Sequence, residues 1–581
     1  MKNHELNNSI LSTEFEKRIV EVSEERAINM SKARLLVVSF ALAFCFATLI
    51  LRVFDLSLST TEELHRLHRY HSTKLDFFVD RADIVDCEHR LLATNLSTAS
   101  LYANPKEMLD IPSVIDELVS VFPDLSKDDL QNKLDTKKNF AWIKRHLTPK
   151  QQQQANDLGI PGLYFASDQK RVYPQGNLFA HIVGMVDIDG EGIAGLEASF
   201  DGKLKNNEIN KLELSLDSRV QDIIHSELQK AMAEHQAEGA AAIVMNANNG
   251  EIVAMVSLPD FDPHQAKYAS ERERFFFPTL GVYEPGSVFK ALTVAIALEN
   301  GLVNLHDNFD VSHKLKLANF TISDYRGRGG SLSVPEILLY SSNLGTAQIA
   351  MRVGAAMQRN YLQKLGLLQQ TNIELPENAS PLYPKQKRWQ ELSTITISYG
   401  HGIAETPLHV VKAFAALING GKLIEPTLLK QQAEKTPAFE QVISPQTSDL
   451  MRKLLRLVVQ RGFGKKADVP GYFVGGKTGT SEKIGKNGRY MKNSNVASFV
   501  GAFPMNNPQY VISVILDAAK PNAKNHGFTT GGMIAAPLAG NIISNIAPLL
   551  EVYPNNAKTY EIINQELYLD PKPNVNNIAQ R

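Results

Sequence analysis

The sequence predicts an α+β protein of more than one domain, carried on a single N-terminal transmembrane helix. Three observations lead there. Residues 35–51 form a charge-free apolar run bracketed by Arg34 and Arg52. A hairpin signal near Asn249-Gly250 is followed by helical segments, two strand-like runs at 496–503 and 510–517, and a last apolar helix. Between these parts lies a long mixed stretch of strands, turns and short helices. A chain of 581 residues is also too long for one hydrophobic core.

Residues 1–34 are polar, of mixed charge, and read as a cytoplasmic tail. The 17-residue run at 35–51 lies near the lower limit for a membrane span, about 17 to 25 residues. It exceeds the usual signal-peptide core of about 7 to 15. Ser57-Leu58-Ser59 has a small-x-small form but lies well past the run. An uncleaved anchor at 35–54 is therefore favoured over a cleaved signal or a buried core helix. The polar remainder would lie outside the cytoplasm, because long domains translocate largely regardless of flanking charge.

Residues 55–211 read as a structural pedestal. Asp124-Leu125-Ser126 caps a helix expected at 127–134. Thr148-Pro149 opens another through Leu158, ended by Gly159-Ile160-Pro161-Gly162. Gly190, Gly192 and Gly195 mark a turn-rich junction. Cys87-Glu88-His89 is too compact to hold one zinc well and no H-E-x-x-H occurs, so no metal site is expected and a solvated turn is. Cys45 lies in the apolar run and Cys87 outside it, which argues against a disulfide between them.

Residues 212–552 form one layered domain in this reading. It holds an amphipathic helix at 218–232, hairpin strands at 241–245 and 252–256, and a buried helix from Ser287. A helical segment from Val334 ends near Tyr340-Ser341-Ser342-Asn343. A helix at 407–417, the two strand-like runs and a helix at 533–550 complete it. The Asn/Pro-rich 553–581 reads as a loose tail. Lys+Arg number 61 and Asp+Glu 62, so no net field favours nucleic acid.

The chemistry centres on Glu284-Pro285-Gly286-Ser287-Val288-Phe289-Lys290. Pro285 and Gly286 break what precedes, and the residues from Ser287 onward are apolar on nearly every side. Ser287 thus sits at a helix N-terminus, where free N–H groups favour a developing oxyanion. Lys290 follows at i+3 on the same face. Burial lowers the pKa of an amine, and a neutral amine beside a hydroxyl is a base beside a nucleophile. Ser-x-x-Lys is weak by itself; Ser167 to Lys170 fits it too, in a polar stretch without a buried helix.

A rival lies at Gly471 to Thr478, which satisfies the phosphate-binding pattern G-x-x-x-x-G-K-[ST]. That loop needs a buried strand before it and a helix starting at its Lys-Thr. Here 462–470 is polar and basic, and 479–492 is too rich in Gly, Lys and Asn to open a helix. The better reading makes 473–480 an edge strand whose glycines let another backbone approach. Lys477, Thr478 and Thr480 could then hold a terminal carboxylate.

Ser287-x-x-Lys290, Ser341-x-Asn343 and Lys477-Thr478-Gly479, in this order, resemble the penicillin-binding and serine β-lactamase superfamily. E-P-G-S-V-F-K, Y-S-S-N, S-Y-G-H-G and G-G-K-T-G-T are similar to class B, monofunctional penicillin-binding proteins, nearest the cell-division type. The resemblance covers anchor, pedestal and transpeptidase domain. Arg81-Ala82-Asp83-Ile84-Val85-Asp86-Cys87-Glu88-His89 departs from the usual R-G-x-I-x-D-R-N-G, which puts the local turn in question. No glycosyltransferase motif precedes the pedestal.

The resemblance implies an antiparallel sheet packed with helices and a D,D-transpeptidase. Ser287 would attack the carbonyl between the last two D-alanines of a peptidoglycan stem peptide. Lys290 would take its proton, and Ser341 would relay one to the leaving D-alanine with help from Lys477. Asn343 would hold the substrate amide and orient Lys290. Thr478, Gly479 and Thr480 would bind substrate, and the N–H groups of Ser287 and Thr480 would form the oxyanion hole. An amine of a neighbouring strand would complete a cross-link, and a β-lactam would trap Ser287. No cofactor is implied. Implied surroundings are the bacterial inner membrane, a periplasmic catalytic domain at the septum, and divisome partners including a SEDS-family glycan polymerase.

Three alternatives stand beside this. An elongation-type enzyme shares the chemistry. A D,D-carboxypeptidase or β-lactamase would use water as acceptor; Glu374 and Glu377 in I-E-L-P-E-N resemble a deacylating glutamate, at a spacing that does not match. A non-catalytic β-lactam sensor or scaffold would not need Ser287.

Overall fold

The computed structural model describes residues 37–54, 81–135, 137–206, 208–317, 320–325, 329–432, 437–485 and 489–570. The expected cytoplasmic tail, the segment 55–80 with Ser57-Leu58-Ser59, and residues 571–581 lie outside the described residues. The N-terminal unit shows one helix, Val37–Phe54, of 18 residues with mean hydropathy 2.3 and no side chain buried. Its length and composition suit a single-pass membrane anchor.

The pedestal is built on a five-stranded sheet. Its long strand Leu91–Ala103 pairs antiparallel with Ala141–Leu147, with Leu163–Val172 and with Asp83–Val85. Asp83–Val85 also pairs in parallel with Lys211–Glu213. That last strand straddles the expected boundary at 211/212, so the pedestal sheet extends slightly beyond it. Helices Ile111–Val121, Lys127–Lys133 and Pro149–Asp157 close a core around Leu101, Leu118, Phe122, Leu130 and Ile143. Thr148 caps Pro149–Asp157 in a reciprocal box with Gln151. Ser126 makes no such bond at Lys127–Lys133. Asp128 and Asp129 supply favourable charge in that first turn instead.

The turn at Cys87-Glu88-His89 forms without a glycine. The Asp86 carboxylate accepts from the Glu88 and Arg90 N–H groups at 2.9 and 2.8 Å, and His89 takes the left-handed φ of +61°. Below it, Arg81 and Arg171 both bind the fully buried Glu197, at 2.6 and 2.7 Å.

The C-terminal domain is a three-layer sandwich. Its sheet contains β1 (Gly239–Asn246), β2 (Ile252–Leu258), β3 (Gly475–Ile484), β4 (Tyr490–Phe503) and β5 (Tyr510–Asp517), in the order β3-β4-β5-β1-β2, all antiparallel. The helices that matter here are α1 (Ser218–His235), α2 (Phe289–Glu299), α3 (Val334–Leu339), α4 (Asn343–Lys364), α5 (Pro407–Ile418) and α6 (Ala536–Ile546). Alternation along the strands sends Ala242 and Val244 to one face, with α1 and α6. Ile243 and Met245 go to the other, with α2, α4 and α5. The second core continues into the pedestal base through Ala82, Ile84, Leu92 and Leu196.

The expected loose tail is partly folded. Asn556 accepts from Thr559 N at 2.9 Å and caps a helix, Ala557–Glu566. Leu567, 5% exposed, and Ile563 pack on the core. Their i, i+4 spacing supplies the apolar stripe that the Asn/Pro-rich composition of the segment concealed.

Candidate active site

Ser287 does not open α2 directly. Gly286–Val288 is a 3₁₀ turn with Gly286 at φ +57°, and α2 starts at Phe289. Ser287 is half-buried in that turn, and Lys290 lies in the first turn of α2. Residues 289–297 are buried throughout, so the helix has no polar face to carry an ammonium. Lys290 is fully buried. Its Nζ donates to the Ser341 carbonyl at 2.5 Å and to Ser341 Oγ at 3.1 Å. Burial, with the neighbouring Lys477 amine second, pushes its pKa well below the ordinary lysine range; Asp324 opposes this.

Ser341 sits in the link between α3 and α4 with φ +54°, a conformation unusual for a side chain other than glycine. Asp324 fixes that link: it accepts from Ser342 Oγ at 2.7 Å and from Leu344 N at 3.0 Å. Ser342 in turn caps α4 by accepting from Gly345 N at 2.9 Å. Asn343, expected to orient Lys290, instead donates from Nδ2 to the Ser323 carbonyl at 3.0 Å. No hydrogen bond joins it to Lys290 among the described residues.

The third segment is the edge strand β3, whose only sheet neighbour among the described residues is β4. Lys477 is fully buried and donates to Ser341 Oγ at 3.0 Å and to the Thr478 carbonyl at 3.2 Å. Burial lowers its pKa to about 7. Two glycines let β3 touch the Ser287 turn. A Cβ on Gly479 would stand 2.7 Å from the Pro285 carbonyl oxygen, and one on Gly286 would stand 2.9 Å from that of Thr480. Thr478 is buried, and Thr480 Oγ1 accepts from Gly531 N at 3.0 Å. Three segments distant in sequence thus meet at Ser341 Oγ, which receives both amines.

The phosphate-loop reading fails here. No helix starts at Lys477-Thr478, which lie inside an antiparallel strand. Glu374 and Glu377 are also spoken for. Glu374 accepts from Thr427 Oγ1 and Leu428 N, and Glu377 from Gly195 N in the pedestal. Neither contact involves Ser287.

Glu284 was not legible as part of this site. Its carboxylate accepts from His401 Nδ1 at 2.9 Å, Gly402 N at 2.7 Å and Tyr490 OH at 3.0 Å. Both E-P-G-S and S-Y-G-H-G stand out in the sequence, but nothing there pairs residues 117 positions apart.

Residues 240–544 match the penicillin binding protein transpeptidase domain, and residues 78–219 the penicillin-binding protein dimerisation domain. The chain is 38% identical to a probable peptidoglycan D,D-transpeptidase, FtsI, of Caulobacter vibrioides, over 81% of this chain and 82% of that one. It is 31% identical to a probable peptidoglycan D,D-transpeptidase, PenA, of Neisseria meningitidis, over 95% and 98%. Among solved structures, penicillin binding protein 3 of Mycobacterium tuberculosis complexed with aztreonam superposes with TM-score 0.65 at 25% identity, covering 82% of this chain and 98% of that one.

Proposed function

The chain belongs to the penicillin-binding protein transpeptidases that carry a dimerisation domain, and we propose that it cross-links peptidoglycan stem peptides at the septum through an acyl-enzyme on Ser287. It is a peptidoglycan D,D-transpeptidase and a target of β-lactams. The observation that carries this is the convergence of two fully buried amines, Lys290 and Lys477, on one hydroxyl beside the Ser287 turn.

Lys290, neutral, takes the proton of Ser287 as the hydroxyl attacks the carbonyl between the two terminal D-alanines. Ser341 Oγ already accepts from both amines, so its own proton is free to pass to the departing D-alanine nitrogen while Lys290 hands on to Ser341 the proton it took from Ser287. The N–H groups of Ser287 and Thr480 receive the oxyanion; losing one such donor typically lowers the rate about 10²–10³-fold. Lys477, with Thr478 and Thr480, holds the substrate carboxylate, and the donor peptide lies along the open edge of β3. Asn343 receives the substrate amide by exchanging its bond to Ser323. An amine from a second strand then attacks the acyl-enzyme, forming the cross-link amide and freeing Ser287.

The apolar helix Val37–Phe54 supports a single-pass anchor, and the reading puts it in the bacterial inner membrane with the catalytic domain in the periplasm. Its partners would be divisome proteins, a SEDS-family glycan polymerase among them. The engaged carboxylates of Glu374 and Glu377 disfavour the reading in which water is the acceptor. Labelled penicillin followed by peptide mapping tests the assignment. An adduct on Ser287 that vanishes in Ser287→Ala is expected; no adduct, or one that persists in the variant, would end it. Depletion of the protein should give filaments, and rounded cells would point to elongation instead.

A further inference from the structure

We infer that Glu284 is a positioning residue for acylation, a clamp that ties the Ser287 turn to the 398–402 loop and to the β3–β4 hairpin. The inference rests on the role proposed above for Ser287. Glu284 is 6% exposed, yet its carboxyl is held below the ordinary carboxylate range. Burial alone would raise it, and the bonds from His401, Gly402 and Tyr490 outweigh that.

The three donors come from two chain segments remote from residue 284. His401 and Gly402 belong to S-Y-G-H-G. Tyr490 opens β4, directly across from Ile484 at the far end of β3. The backbone on both sides of Glu284 is tied to the same loop. Tyr283 N donates to Glu405 O at 3.0 Å and Glu405 N to Tyr283 O at 2.9 Å, while Gly286 N donates to Gly400 O at 3.1 Å. Packing is tight, since a Cβ on Gly400 would fall 2.1 Å from the Gly286 carbonyl oxygen. Glu284 therefore joins, three residues before Ser287, the nucleophile turn and the hairpin whose β3 strand carries Lys477 to Thr480. A carboxylate suits this task because it accepts several charge-assisted bonds at once. None of these bonds is consumed by the chemistry assigned to Lys290 and Ser341.

The full-length protein in detergent is treated with a fluorescent penicillin, and acylation is followed at rising drug concentration. Glu284→Ala should lower the limiting acylation rate about 10- to 100-fold, the size of effect expected when reacting groups are misplaced by about 1 Å. The half-saturating concentration should change less than about threefold. Glu284→Gln, which still accepts from Gly402 N and Tyr490 OH, should recover at least half of that loss on a logarithmic scale. Glu284→Ala/Tyr490→Phe should be no slower than Glu284→Ala, because the tyrosine acts through the carboxylate. A limiting rate within twofold of wild type in Glu284→Ala, or a loss that appears in half-saturation instead, overturns the inference. Amide hydrogen exchange gives a readout independent of acylation. Glu284→Ala should exchange faster at Gly286, Ser287 and Gly402, and unchanged exchange there also overturns the clamp. A wild-type protein that takes up no penicillin on Ser287 counts against the proposed function, while amide exchange still judges the clamp.

Discussion

Lys290 meets Ser341 twice, through the carbonyl oxygen at 2.5 Å and through Oγ at 3.1 Å. A neutral amine has two N–H groups and one lone pair. With both N–H groups spent on one residue, the lone pair is left to accept a proton, which the proposed mechanism takes from Ser287. Ser341 makes both contacts from a left-handed φ of +54°.

Ser341→Ala removes the hydroxyl and leaves the carbonyl. Lys290 should stay in place while the proton relay and the contact with Lys477 are lost. The expected result is a roughly 10²–10³-fold lower acylation rate by labelled penicillin, within the range of general acid–base effects. The thermal midpoint should hold within about 2 °C. A variant acylated at the wild-type rate would remove Ser341 from the relay.

Lys290→Met should abolish acylation and make the fold more stable. A fully buried amine inside an apolar helix is retained against the stability of that helix, and a thioether of similar length fills the same space. Differential scanning fluorimetry should show a rise of about 2 °C or more. A fall would mean that the bonds to Ser341 contribute more than the burial of Lys290 costs.

Lys477 gives a pH dependence with a definite sign. Its pKa of about 7 in the fold, against 10.5 for a free lysine, means the unfolded chain holds the extra proton across that window. Stability contributed at this site therefore rises with pH between about 7 and 10.5. The difference in unfolding free energy between wild type and Lys477→Met should shift in favour of wild type from pH 7 to pH 9. Acylation at low drug concentration should move the other way, because a neutral Lys477 attracts a carboxylate less. A flat profile through pH 7 to 9 for both quantities would mean that Lys477 keeps one charge state throughout.

Much of this was legible in the sequence because the signals were local. The 510–517 run is the strand Tyr510–Asp517, and the 407–417 helix is Pro407–Ile418, since period and flanking turns mark each. The three motifs were legible by order and residue type. Contacts between remote segments were not. Asp324 caps the Ser341 link across a loop of small strands, and Glu284 finds His401 only once the sheet has folded. The tail helix was missed for a different reason. Its composition is that of a linker, and Ile563 and Leu567, one turn apart, give its buried side away.

Gly479 offers the most direct check on how β3 meets the nucleophile turn. A methyl group there would stand 2.3 Å from Ser498 Oγ and 2.7 Å from the Pro285 carbonyl oxygen. The serine can rotate away. The carbonyl cannot, because the next residue, Gly286, is bonded to Gly400 and packed against it. In Gly479→Ala the strand must therefore move outward, carrying Thr480 N away from Ser287. Acylation should fall about 10²-fold, as expected for a displacement of about 1 Å, with a smaller loss of thermal stability. Adding Ser498→Ala separates the two contacts. If the double variant stays as slow as Gly479→Ala, the clash with the nucleophile turn is the cause. If it recovers most of the rate, the serine was the obstacle, and the contact between β3 and Pro285 does not set the distance between Thr480 N and Ser287.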